Sequence, residues 1–552
     1  MAVALLAGLS GGAAAQEFTD VTDAAGLAGP HGVVIPGDNL GGLFVAGAAV
    51  GDVDGDGLHD IFWTGGTAER CRLYINQGDG SFVETGMAAG IAYQSPTSGP
   101  MMFDADADGD LDVFVSTYQN ILDLSSAEGP VSYDPLQLES PVSPATPPLW
   151  LGVGVDNLSG NPGPRSGLAY RNLFFLNRGD GTFAEVWGQP GRALKGRFGS
   201  TAGDLDGDGR IDLVTTEWGS GPTRLYRNVG GGRVRDVTPA HILADIVWGF
   251  SPNIVDYDDD GDADMVNVND LLTSRIWRND GNGVWTDFTA GAGVGTDQNG
   301  MGSALADYDG DGDLDWFITA IFHTFFLPGP GYGNTGNRLF RNDGNGTFTD
   351  VTDAAGVREG GWGWGAQFAD IDNDGDEDLI HANGWTEPGI QLPLTHFLND
   401  RLRVFVNQGD GTFVDAALAF GLDDPDQGRG LAVFDADGDG ALDILVANYL
   451  GGLTLWQNDK AAVPGRWLEI VLQGGGENRL ALGARLLVEA DGLADQHRWV
   501  LRRSNYLGHG PIDQWVGLGA ATSADVTVTW PDGQVSVHPG LAADQRHVLT
   551  QP

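Results

Sequence analysis

The chain has 552 residues, 76 of them acidic, and a formal net charge of −47, yet 41% of it is hydrophobic. That much apolar material supports a packed core, so the acidity does not signify disorder; a surface so negative repels nucleic acid and anionic membranes. A single cysteine, Cys71, excludes an internal disulfide, and ten scattered histidines do not add up to a structural zinc site.

The first residues, MAVALLAGLSGGAAAQEF, hold a short apolar run and an A-x-A pattern at Ala13 and Ala15. Residues 1–15 are read as a signal peptide without a basic start, giving a secreted protein, extracellular or periplasmic. Calcium outside the cytoplasm is plentiful enough for weak sites. No later stretch is long and apolar enough to span a bilayer, so no membrane insertion is expected.

From residue 52 onward one pattern, D-x-D-x-D-G-x-x-D, occurs seven times. Its aspartates are Asp52, Asp54, Asp56 and Asp60; Asp104, Asp106, Asp108 and Asp112; Asp204, Asp206, Asp208 and Asp212; Asp256, Asp258, Asp260 and Asp264; Asp307, Asp309, Asp311 and Asp315; Asp370, Asp372, Asp374 and Asp378; and Asp435, Asp437, Asp439 and Asp443. Four carboxylates within nine residues repel one another unless a cation lies between them. Hard oxygen ligands at alternate positions suit Ca²⁺, and glycine at position six allows the chain to wrap the ion. The start matches an EF-hand loop, but no helical pattern flanks it, and the ninth-position Asp stands where an EF-hand has a later Glu. The competing reading is an acidic solvated turn; seven complete copies favour about seven Ca²⁺ ions, which bring the charge to about −33.

Loop starts are 52, 100, 52, 51, 63 and 65 residues apart. A period near 51 belongs to propellers, solenoids or arrays. Within a unit, FGSTAGD (198–204) leads into a loop, IDLVTTEW alternates as a strand, RLYRN follows, and N-x-G-D-G-T-F with F-x-D-V-T makes a hairpin. Four short antiparallel strands, A to D, with the acid loop between A and B, describe a propeller blade. The seventh unit stops at TLWQNDK (454–460) without its last strand, and EFTDVTDAAG (17–26) supplies one. The expected fold is therefore all-β: a seven-bladed β-propeller over residues 16–460, closed by the N-terminal strand and leaving no open edge.

These repeats resemble FG-GAP/VCBS repeats, the calcium-loop propeller units also found in integrin alpha-chain heads. FGSTAGD and the seven loops carry that resemblance, which covers roughly residues 17 to 460. Residues 461–552 break the period. RWLEIVLQG, LGARLLVEADG and ADVTVTWPDGQVSVHPG read as strands of a small β domain. It resembles the ASPIC/UnbV domain through NRLALGARLLV (478–488), SNYLGHG (504–510), LGAATSADVTVTWPDG (518–533) and Gln545, with LGHGP replacing the usual serine-rich stretch. The layout is similar to that of bacterial proteins of the cartilage acidic protein 1 family. The resemblance implies a secreted calcium-binding protein and no agreed reaction.

Strand polarity puts the acid loops and the GDG turns on one face and the B–C and D–A connections on the other. Long B–C insertions fall at 118–167, 321–337 and 381–400, and long loops in compact folds are functional or disordered. His323, Phe325, Tyr332, Trp385 and His396 lie in the last two; Trp248, Trp362 and Trp364 stand near the starts of A strands. Trp248, His323, Tyr332, Trp364, Trp385 and His396 are candidate contacts for a glycan or extracellular protein, against the alternative that the rings pack loops onto blades. GYGNTG (331–336) has no following helix, and Arg178-Gly179-Asp180 falls in a repeated turn, so neither carries weight. Without a nucleophile motif, a non-catalytic binding or adhesion module is expected; the alternative is a carbohydrate-active enzyme of lyase or dehydratase type, with His323 and His396 as acid or base.

Overall fold

The structure, a computed structural model, describes residues 17–29, 45–66, 69–93, 97–117, 172–185, 197–218, 222–244, 248–271, 274–281, 283–324, 334–385, 394–449 and 451–552. The leader 1–15, the insertion 118–167, Phe325 and Tyr332 lie outside the described residues. The described chain is all-β, built mainly from four-stranded sheets in the manner of a propeller.

The third repeat shows how the sequence makes one sheet. Arg197–Gly203, Asp212–Glu217, Arg224–Asn228 and Val234–Asp236 pair antiparallel in chain order. The B strand, DLVTTE, is rich in β-branched residues and buried along almost all its length, as a strand covered on both faces must be. The repeats before and after it give the same order. In the last repeat, Gly428–Phe434, Asp443–Asn448 and Gly452–Asn458 take Phe18–Asp20 as outer strand, with Phe18 opposite Asn458 and Asp20 opposite Trp456. The F-x-D strand borrowed from the N-terminus is therefore present.

Neighbouring sheets are tied by one asparagine each, at the end of the C strand. Asn76 donates from Nδ2 to the Ala436 carbonyl, Asn177 to Val53, Asn228 to Ala105 and Asn279 to Leu205. Asn342, Asn407 and Asn458 donate to Tyr257, Tyr308 and Ile371. Each acceptor is position two of the preceding sheet's acid loop, and the order of donors and acceptors returns to its start. Inner strands approach so closely that a Cβ on Gly199 would stand 1.7 Å from the Phe250 carbonyl oxygen, and one on Gly302 2.0 Å from that of Trp364. The glycine of the FG dipeptide is thus a packing requirement. Single helical turns, Thr289–Ala292 and Thr352–Ala355, follow the outer strands, each ending at a left-handed glycine, Gly293 or Gly356.

The C-terminal residues form two sheets, one of three strands and one of four. They are not a separate appendage. Their segment Arg502–Gly510 runs along the inner strands of the repeats. Thr201 Oγ1 donates to the Arg502 carbonyl at 2.6 Å, and Ser504 N donates to Asn253 Oδ1 at 2.7 Å. Asn505 Nδ2 donates to the Leu431 carbonyl at 2.7 Å, and Gly508–His509 adds a parallel strand to Ala48–Ala49. Arg502 Nη1 reaches the Met102 carbonyl at 2.7 Å. The SNYLGHG motif is therefore a plug that pairs with several repeats at once.

Candidate metal loops and the opposite pocket

In the first loop, Asp52 accepts from Gly55 N through Oδ1 (2.8 Å) and from Gly57 N through Oδ2 (2.9 Å). That pair of bonds curls the chain round its first carboxylate. Positions four and six are both left-handed: Gly55 has φ 78° and Gly57 φ 91°. Ala107, Asp259 and Asn373 hold the position-four conformation without glycine, which costs the backbone about 1–2 kcal/mol each.

The ninth aspartate has a double task. Asp60 Oδ2 accepts from Val53 N and Oδ1 from Asn76 N, at 3.0 and 2.9 Å. Asp112, Asp212, Asp264, Asp315, Asp378 and Asp443 repeat both bonds. Each is nearly fully buried, and burial pushes its carboxyl up: Asp60 and Asp212 to about 7, Asp112 and Asp264 to about 8. The asparagine that links the sheets is thus held by the carboxylate that ends the loop. The repeated Asn after the C strand was the sequence signal for this, and its role was not read there.

Ligand-capable oxygens of Asp52, Asp54 and Asp60 lie within 4.8 Å of one another, as do those of Asp104, Asp106 and Asp108, of Asp204, Asp206 and Asp212, and of Asp256, Asp258 and Asp260. Buried oxygens with no hydrogen-bond partner recur there: Asp106 Oδ1, Asp256 Oδ1, Asp258 Oδ1 and Asp372 Oδ1. Orphaned acceptors among convergent carboxylates fit a divalent cation, which would take oxygens from positions one, three, five and nine. Such a cation would neutralise the carboxylates and cross-link the A and B strands. The loops are not equivalent: in the third, Arg227 already pairs with Asp206 (2.8 Å) and Asp208 (2.6 Å), and Arg210 joins it on Asp208.

The C-terminal sheets lie against this acid-loop face. Trp515 Nε1 donates to Asn373 Oδ1 (2.8 Å), and Gly519 N to the Asn373 carbonyl (2.9 Å). Arg485 pairs with Asp256 (3.0 Å) and Asp259 (2.6 Å), Arg498 with Glu377 (3.0 Å), and Asp513 with His59 (3.0 Å). Asp259 and Asn373 both occupy position four, so the two loops whose fourth residue is polar are docking points.

On the opposite face, a pocket of about 650 Å³ opens between the fifth and sixth repeats. His323 and His396, far apart in sequence, both line it, with Phe322, Arg358, Asp400 and Arg403. His323 is buried and His396 exposed, and both rings meet Phe397 edge-on, at 6.4 and 5.5 Å. Asp400 accepts from Trp362 N, and burial raises its carboxyl.

The tryptophans fall elsewhere. Trp364 and Trp385 are 1% and 5% exposed; they stack at 6.0 Å, and Trp385 stacks on Trp362 at 4.5 Å. Trp364 also meets Tyr506 of the plug at 5.0 Å and lies under the Arg429 guanidinium. These rings close the core round the plug rather than face solvent, which is the packing alternative. Trp248, half-buried, meets Trp218 edge-on at 5.0 Å.

Residues 52–115, 159–215, 204–267, 256–318, 325–381 and 397–446, more than half of the chain, match the model of the FG-GAP-like repeat, and residues 474–552 match that of ASPIC and UnbV. Cartilage acidic protein 1 of Mus musculus is 26% identical over 268 residues, 39% of this chain and 41% of the mouse protein. That of Xenopus tropicalis is 25% identical over 256 residues, 37% and 39%. The chain spans about two fifths of these relatives. Among solved structures, a Bacillus licheniformis rhamnogalacturonan lyase has a TM-score of 0.40 and 15% identity, with 80% of this chain and 75% of the lyase covered. The BP39L lectin of Burkholderia pseudomallei has a TM-score of 0.43 and 11% identity, covering 75% and 96%. With its acid-loop repeats and its C-terminal sheets, the chain belongs to the FG-GAP-like repeat family and carries an ASPIC and UnbV domain, homologous to cartilage acidic protein 1.

Proposed function

We propose that this is a secreted, calcium-binding, seven-bladed propeller, closed by Phe18–Asp20, that acts as a non-catalytic binding module for a glycan or an extracellular protein. The observation that carries the binding role is the pocket between the fifth and sixth repeats, on the face away from the acid loops. The return of the Asn–carbonyl order to Asn76 and Ala436 supports the closed ring. In this reading the ions are structural. They neutralise each loop and tie strand A to strand B, which fixes the connections on the far face. Recognition falls to the pocket: Phe322 gives an apolar wall, the histidines and Arg358 give donors, and Asp400 gives an acceptor. A glycan and secreted-protein array tests it. Retention lost in His396→Ala, with unchanged melting, is the expected result; retention untouched by His396→Ala and His323→Ala contradicts it.

A carbohydrate-active enzyme of lyase or dehydratase type is the second reading, favoured by one observation: His323 and His396 share a pocket wall with the buried Asp400. A histidine in that wall would serve as general acid or base toward a bound sugar. New unsaturated or shortened products from a polysaccharide, lost in His323→Ala or His396→Ala, select the enzyme; retention without turnover selects the module.

A further inference from the structure

The sixth acid loop is covered as no other described loop is. Its fourth residue, Asn373, is 1% exposed, and Asp370 is 2% exposed; position four is half-buried or exposed in the other six loops. The cover comes from the C-terminal sheets. Trp515 Nε1 and Gly519 N hold the side-chain and main-chain oxygens of Asn373. Gly517 lies so close that a Cβ there would stand 1.9 Å from Asp370 Oδ2 and 2.7 Å from the Asn373 carbonyl carbon. Asn373 Nδ2 donates onward to the Gly440 carbonyl of the seventh loop at 3.0 Å. Asp370, Glu377 and Trp515 line a cavity of about 80 Å³. Glu377 is 6% exposed, and its Oε2 has no hydrogen-bond partner, as Asp372 Oδ1 has none.

An ion leaves such a loop only when water replaces carboxylates, and that needs the loop to open. In an uncovered loop the opening is local and cheap. In the sixth it also breaks the Trp515 and Gly519 hydrogen bonds and lifts Gly517 off Asp370. We propose that the C-terminal sheets act as a cap on the sixth loop, held by Trp515 on Asn373, so that the cation there is released more slowly than those of the other loops. The proposal rests on the calcium reading of the loops and adds to it a division of labour: most ions exchange, one is locked by the second domain.

The full chain loaded with Tb³⁺ tests this, with released metal read by the absorbance of a chromogenic chelator, a signal that does not depend on Trp515. Mixed with excess chelator, the wild type loses most of its bound Tb³⁺ quickly. About one ion leaves in a phase roughly tenfold slower, the size of effect one buried hydrogen bond has on an opening equilibrium. Asp374→Asn removes the slow phase and leaves the fast one, while Trp515→Phe keeps the ion count and speeds the slow phase. Gly517→Ala does the same if it folds; Trp515→Phe decides the matter if it does not. Uptake followed by release in one phase, or a slow phase unchanged in both Trp515→Phe and Asp374→Asn, overturns the cap. No uptake by the wild type refutes the calcium reading itself, and so the two failures are distinguishable.

Discussion

The two faces of the sheet assembly are built by opposite rules. On the acid-loop face every A–B connection carries the same nine-residue motif, whose last aspartate accepts from the same pair of backbone N–H groups, and the C-terminal sheets lie across it. On the other face connections differ in length, and an open pocket separates the fifth and sixth repeats. Uniform loops mark what every repeat must do to stay together; varied loops mark where one repeat differs from its neighbours and can recognise something. The plug joins the two: it enters under the C-terminal sheets, and its Tyr506 ends among Phe250 and Trp364 at the far side.

The largest expected effect breaks the acid-loop face. Each site filled at a hundredfold its Kd stabilises the folded chain by about 2.7 kcal/mol, so excess EDTA should lower Tm far more than any single substitution. A melting curve unmoved by EDTA would remove the ions from the account. The metal-free chain has a pH dependence of definite sign. Burial raises Asp60, Asp112, Asp212 and Asp264 to about 7 or 8, so between about pH 4 and 8 the folded state binds more protons than the unfolded one. Stability without metal therefore falls as pH rises through that window. With calcium bound the trend should reverse, because the ion requires ionised carboxylates. Melting scans at the two ends of the window, in EDTA and in excess calcium, check both signs.

Next comes the plug. Tyr506 is 1% exposed between aromatic rings, and Tyr506→Ala should cost about 3–5 kcal/mol, as large-to-small core changes do; denaturant titration reads it. Asn458→Ala removes the donor to the Ile371 and Leu442 carbonyls and should cost about 1–3 kcal/mol. The smallest effect on stability is at the pocket. His396 is exposed, so His396→Ala should shift stability by no more than about 0.5 kcal/mol while abolishing ligand retention. That contrast, stability on one face and recognition on the other, is what separates them.

The loops and the borrowed strand were legible because they are periodic: Asp52 to Asp443 recur at fixed offsets, and Phe18–Asp20 repeats Phe348–Asp350 in sequence. The Asn76-type links were visible as a repeated letter, but a role in tying adjacent sheets needs the neighbouring carbonyl in view. The plug was not legible, since SNYLGHG has no alternation and its partners, Ala48, Thr201, Asn253 and Leu431, are spread over the whole chain. Trp385, within a long connection, and Trp364, near the start of an A strand, read as candidate surface contacts; Tyr506, from the other end of the sequence, packs on Trp364. Asp259 and Asn373, non-glycines where four loops have glycine, were the one local hint that something docks there.

Equilibrium dialysis of the full chain against calcium, with the bound metal counted by atomic emission, meets the central claim head-on. About seven ions per chain are expected from the seven acid loops, with Arg227 making the third site the weakest. Binding of none, or of one, would mean that these carboxylates are held by backbone hydrogen bonds and protonation alone, and that the loops are turns rather than metal sites.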